Sequence, residues 1–218
     1  MLEVGRLLRA EGRHAAGSGR APIGSLVALV ALAGFAHGAA MGSYGGTLLQ
    51  PLFSGLKVPL FLAVSTLVCL PSVLVLNTVL GLRDDLGAAL RAVLAAQATL
   101  AVALASLAPL VLVFYLSVTD YRTAVVANGA LFALATLAGQ ATLDRHYAVL
   151  VARDPRHRIA RRAWLVLYVF VAIQAAWLLR PFVGQPGLPT QFLREDPWSN
   201  AYVVVAHYVW AAWRNAVG

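Results

Sequence analysis

The chain is poor in charge. Only 12% of its 218 residues are charged, and acidic residues are the scarcer kind, 9 against 17 basic ones. An ordinary soluble domain carries about 25% charged residues. With 60% apolar residues, a water-soluble fold of this size could not hide its apolar surface, so the excess must face lipid. Cysteine is nearly absent too. The single thiol, Cys69, lies in an apolar run, which excludes an intrachain disulfide or a site built from several cysteines and reads as a small buried hydrophobe. The patterns G-x-S-x-G, H-E-x-x-H, G-x-x-x-x-G-K and G-x-G-x-x-G are missing, as are histidine pairs one helical turn apart. No Asp, Glu, Lys or Arg falls at the middle of an apolar run. A central charge costs at least ~2.5–3.5 kcal/mol and is kept for a relay or an ion path, so its absence counts against a proton pump or cation carrier. A non-enzymatic protein without a cofactor or metal is expected.

What is present is a series of apolar runs. Pro22 to Gly42, Val58 to Leu82, Ala92 to Val118, Thr123 to Leu143 and Ala163 to Leu179 each approach the roughly 20 residues a spanning helix needs. Pro22 and Pro59 suit helix starts, where the missing N–H costs nothing; Pro71 and Pro109 interrupt the second and third runs. A sixth stretch, Ala201 to Trp213, is short. Asn200, His207 and Arg214 recur along it every seventh residue and share one face. The expected fold is all-α, a polytopic transmembrane helix bundle of six spans. The alternative is five spans plus an interfacial helix. Residues 1–21 read as a basic cytoplasmic tail without the apolar core and cleavage site of a cleavable signal, and 22–218 as a single transmembrane domain.

Basic residues orient the bundle. With the N-terminus inside, the inner segments hold Arg6, Arg9, Arg13, Arg20, Arg83, Arg91, Arg145, Arg153, Arg156, Arg158, Arg161, Arg162 and Arg214, and the outer ones only Lys57, Arg122, Arg180 and Arg194. This bias predicts a multi-pass protein of a cell inner membrane with a cytoplasmic N-terminus. The net charge of +8 then serves orientation and anionic lipid, not nucleic acid. The loop LDRHYAVLVARDPRHRIARR, with Arg153, Arg156, Arg158, Arg161 and Arg162, is expected to lie as a surface helix on anionic lipid or to meet a partner. The outer segment RPFVGQPGLPTQFLREDPW, with Pro181, Pro186, Pro189 and Pro197, is expected to be an ordered cap.

Candidate sites are few. Gly34, Gly38, Gly42 and Gly46 fall at every fourth residue and form a smooth strip that lets a helix approach closely. It serves either a second copy or packing within the bundle, and Gly46 falls at or past the helix end. His37, Asn77 and His207 are candidates for an intramembrane polar site. Ser65, Thr66, Gln97 and Asn128, with half-unwound helices at Pro71 and Pro109, would suit a small permease or channel. Asp84 and Asp85 could hold a divalent ion, but read better as the cap of a helix beginning near Leu86.

The stretch PLFSGLKVPLFL, followed by CLPSVLVLNTVLGLRDD, resembles a group of uncharacterised bacterial multi-pass proteins, itself loosely similar to Yip1-domain membrane proteins. Residues 45–90 carry most of the resemblance and RPFVGQP (180–186) a second piece. It implies a cytoplasmic N-terminus, about five spans and a non-catalytic role in organising membranes, and brings no catalytic residues. A sixth span would depart from it. The leading expectation is a scaffold or accessory subunit of a larger membrane complex, contacting the bilayer, anionic lipids and other membrane subunits or itself.

Overall fold

The computed structural model describes residues 22–193, 201–203 and 210. Among the described residues all regular structure is helical. Five α-helices follow one another: α1 Ile23–Gly42, α2 Leu49–Val79, α3 Leu86–Ser117, α4 Tyr121–Arg153 and α5 His157–Leu179. All five are long and apolar enough to cross a membrane, so the chain is a multi-pass membrane protein. Short connections make successive helices antiparallel. One end of the bundle, here the proline-rich end, gathers residues 43–48, 118–120 and 180–193. The other, the arginine-rich end, gathers residues 80–85 and 154–156. Of the sixth expected stretch only Ala201–Val203 and Trp210 are described, all helical; the rest, His207 included, lies outside the described residues.

The helices outrun the apolar windows that announce them. α2 begins at Leu49, not near Val58, with Pro51 in its first turn, where proline is tolerated. α4 continues to Arg153, well past Leu143. At 33 residues α4 is about 50 Å long, against a hydrocarbon core of ~30 Å. At that length α4 can extend past the hydrocarbon, where polar residues cost little. The expected surface helix around Arg153 is not a separate element. Its residues are the end of α4, the three-residue link Asp154–Arg156 and the start of α5. Pro59 and Pro71 stand inside α2 and Pro109 inside α3. Each helix is continuous through its prolines, so the expected half-unwound segments are absent.

α2 and α3 hardly touch; α1 fills the groove between them. Glycine permits this. A β-carbon at Gly38 would overlap the Ser54 carbonyl and lie 2.9 Å from Gly55 Cα; one at Gly42 would lie 2.6 Å from the Gln50 carbonyl oxygen. Gly34 faces Pro59, where a β-carbon would meet its nitrogen at 3.3 Å. The strip thus packs inside the bundle on α2. Gly46 does not belong to it: it follows a 3-10 turn with φ +72° and meets nothing. At the other end of α2, Gly81 (φ +72°) closes the helix, its N–H bonding the Thr78 carbonyl and that of Leu82 the Asn77 carbonyl. This left-handed cap satisfies the last carbonyls and turns the chain into α3.

α4 packs on α3 and α5 on α2. Phe61, Leu100, Leu104, Ala135 and Ala175 form the largest apolar core where four helices converge. A second core, around Val73, Val93, Leu150 and Trp164, closes the arginine-rich half. Yet α4 and α5, joined by three residues, barely touch along their length. A cleft stays open between them, with Phe61 of α2 and Leu100 of α3 as its floor.

Candidate functional site

Three polar regions stand out, and the first was invisible in the hydropathy pattern. Lys57, the chain's only lysine, is not in an outer loop. It lies in the third turn of α2, wholly buried. Its Nζ donates to the Pro181 carbonyl at 2.6 Å and sits 5.1 Å from the centroid of the Phe192 ring. Ser54 Oγ donates to the Phe182 carbonyl, and Gln50 Nε2 to Ser54 Oγ at 3.2 Å. Thr47 and Thr190 pair at 3.0 Å, and Phe192 meets Phe53 edge-on. Gly45 and Gly184 come backbone to backbone, since a β-carbon on Gly45 would lie 3.1 Å from Gly184 Cα. The segment after α5 is thus strapped down onto the start of α2. A cation beside the last carbonyls of α5 also suits the negative end of that helix. Gln50, Ser54 and Lys57 fall at i, i+4 and i+7, one face of a helix. That spacing is the signal that could have revealed them.

Below the strap, a water-accessible recess of about 300 Å³ is lined by Gln50, Gln185, Gln191, Thr47 and Thr190. Beside it, three tyrosines cluster. Tyr44 stacks edge-on against Tyr115, and Tyr121 lies next to them. Tyr115 donates to the Met41 carbonyl at 3.0 Å and receives Asn128 Nδ2 at 2.6 Å. At the start of α4 the Asp120 carboxylate accepts from Thr123 N and Oγ1, which holds its pKa below the ordinary carboxylate value.

The second region is the cleft. Its outer part, about 700 Å³, is walled by Tyr121, Val125, Phe132, Trp177 and Phe182, with Arg122 and Arg180 at its mouth. Arg180 stacks on Trp177, 3.4 Å above the ring. Its inner part, about 450 Å³, runs past Gln97, Thr136, Gln140 and Tyr168. Tyr168 Oη faces Gln97 and Thr66 without a hydrogen bond of good geometry.

The third region is the arginine-rich end. Asp85 does not cap α3 with its side chain. It bridges to the α4–α5 junction instead, one oxygen 3.3 Å from Arg153 and the other 3.1 Å from the buried ring of His157. Arg156 embraces Asp154 at 2.7 Å and depresses its pKa, and Arg161 pairs with Asp144. Asp84 is exposed. Arg158 and Arg162, one turn apart on α5, are exposed.

The expected intramembrane polar site is not one place. His37 is buried against α3 near the backbone of Leu104, its ring nitrogens outside hydrogen-bonding geometry. Asn77 stands in the last turn of α2, bonded to its own helix at Val73. Since Gly38 meets α2 at Ser54, the two lie about 35 Å apart along that helix. Thr66, Thr99, Asn128 and Thr136 likewise bond carbonyls of their own helices. Among the described residues no cluster of His, Cys, Asp and Glu could hold a metal ion. Comparison with protein-family models, with curated proteins and with solved structures returns no match.

Proposed function

We propose that the chain is a non-enzymatic scaffold or accessory subunit of a larger complex in a cell inner membrane. Its N-terminus and arginine-rich end face the cytoplasm and its proline-rich end the other side. One observation supports this reading: α4 and α5 continue beyond their apolar runs to a three-residue link, and arginines crowd that end of the bundle. On this reading the tyrosines Tyr44, Tyr115 and Tyr121 lie at the interface, with the start of α4 among them. A hydrocarbon core of ~30 Å then uses about 20 residues, and the first charged residue after Arg122 is Asp144. From there α4 runs on to Arg153 and α5 returns from His157. Asp85, Asp144 and Asp154 fasten arginines at this end, while Arg158 and Arg162 stay exposed. A cationic end on a packed membrane body is suited to holding an anionic partner. The resemblance to Yip1-domain proteins points the same way.

Affinity capture of the full chain in mild detergent tests the reading. A specific set of membrane proteins is expected with the wild type and is expected to be lost with Arg158→Glu/Arg162→Glu. A strictly monomeric particle carrying no other protein counts against it. The alternative, a small permease, is favoured by the polar groups Gln97, Thr136, Gln140 and Tyr168 part-way down the cleft. Solute flux into liposomes that disappears on Gln97→Leu would support that alternative instead.

A further inference from the structure

We infer that the recess below the proline-rich strap is a binding site for one neutral, hydroxyl-rich ring, a single sugar unit, with Gln50 Oε1 accepting from one of its hydroxyls. This goes beyond the scaffold reading and rests on different residues.

An unpaired acceptor is the first argument. Gln50 lines the recess and is only 2% exposed. Its Nε2 is committed to the protein, to Ser54 Oγ at 3.2 Å and the Pro181 carbonyl at 3.5 Å. A carbonyl can only accept, so the nitrogen is the end of the amide beside Pro181. No described residue donates to Oε1. A buried acceptor left unpaired is unfavourable, and the recess is the space beside Gln50 from which a donor can come.

Charge narrows the chemistry. Among the described lining residues none is charged. Lys57 grips the Pro181 carbonyl and is wholly buried, so it offers nothing to a ligand. An anion would face the Gln50 oxygen, a cation would lack a carboxylate, and an apolar group would leave that oxygen unpaired. A neutral donor satisfies it. Gln185, Gln191, Thr47 and Thr190 add carboxamides and hydroxyls, groups that both donate and accept, as sugar hydroxyls do. Leu188 and Pro189 add an apolar wall. A sugar ring has the same mixed character, with hydroxyls around its rim and C–H groups on its faces.

Size and rigidity agree. A volume of about 300 Å³ is the space of about ten waters and the lower limit of small-molecule sites, enough for one ring. The walls are set without a ligand. Lys57 and Ser54 hold the carbonyls of Pro181 and Phe182, Thr47 pairs with Thr190, and Gly45 lies against Gly184.

The test titrates the full chain, in a detergent without a sugar headgroup, with methyl β-glucoside, methyl β-galactoside and methyl β-mannoside, read by saturation-transfer NMR. At least one is expected to bind saturably at millimolar concentration, and tetrahydropyran, the ring without hydroxyls, is expected not to bind. Gln50→Leu is expected to abolish binding. Gln185 and Gln191 take no part in the strap's hydrogen bonds, so Gln185→Ala/Gln191→Ala keeps the fold and is expected to weaken binding by about tenfold or more. Tighter binding of a monoglycosyl diacylglycerol than of its methyl glycoside assigns the ring to a lipid headgroup; equal binding assigns it to a free sugar. Absence of saturable binding by every glycoside and the glycolipid, equal binding of tetrahydropyran, or undiminished binding by Gln185→Ala/Gln191→Ala overturns the proposal. So does a photo-crosslinker at Gln185 that captures residues 194–218 of the chain itself.

Discussion

At the proline-rich end a buried cation meets a neutral carbonyl, Lys57 on Pro181, with Ser54, Gln50 and two close glycines around it. At the arginine-rich end exposed cations meet carboxylates, with Asp85, Asp144 and Asp154 each taking an arginine. The first closure buries its cation and depends on fit; the second is more exposed and depends on charge. A hydrogen bond to a buried ionic donor is lost as a whole when its partner goes, whereas an exposed ion pair is worth about 0–1 kcal/mol and is screened by salt. The bundle is therefore stapled at one end and loosely tied at the other, and the loosely tied end carries the exposed arginines.

The sharpest break in this comparison comes from the packing beneath the staple. Gly38→Leu drives a side chain into the backbone of α2 and is expected to cost about 4 kcal/mol or more, read as loss of the monodisperse folded protein in detergent. Gly24→Ala, with open space around it, leaves elution and melting unchanged.

Lys57→Ala comes next. It leaves the Pro181 carbonyl without its donor in a buried site, an expected loss of about 1–3 kcal/mol, with amide exchange rising across residues 181–193 and little change at the other end.

Asp85→Asn is expected to be milder, about 1 kcal/mol, because Arg153 is 57% exposed. Exchange should rise at residues 154–157. High salt, about 1 M where screening reaches a few ångströms, should imitate Asp85→Asn and leave the Lys57 strap intact.

The smallest effect is acid. Arg156 holds the Asp154 pKa below its ordinary 3.8. The pair's contribution is complete above that value and is lost as pH falls through the lowered one. Asp154→Asn should therefore alter the pH dependence of melting only at pH values near and below that of an ordinary carboxylate.

Much of the fold was legible in composition, because lipid-facing helices cannot be disguised. Five apolar runs coincide with five helices, and Pro22 and Ser117 lie within a residue of the predicted limits. What hydropathy could not supply was where helices end once they leave hydrocarbon. The window that began at Val58 cut off the turns bearing Gln50, Ser54 and Lys57, since Gly55, Pro51 and Lys57 all read as loop. The same blindness turned the charged ends of α4 and α5 into a separate surface helix. Pairing of distant groups was harder still. Nothing local announces that Asp85 reaches His157, or that Pro181 receives Lys57; those contacts arise only when α2 and α5 lie side by side. His37 and Asn77 each stood out as a polar residue within an apolar run, and the antiparallel path puts them at different depths.

The most direct measurement is which side of the membrane each end occupies. Cys69 is buried and is the only cysteine, so single cysteines can be placed at will on a Cys69→Ala background. At Gln185 a membrane-impermeant thiol reagent should react in intact cells; at Arg158 it should react only after the membrane is opened. Labelling of the Arg158→Cys chain in intact cells would put the arginine-rich end on the wrong side and contradict the account.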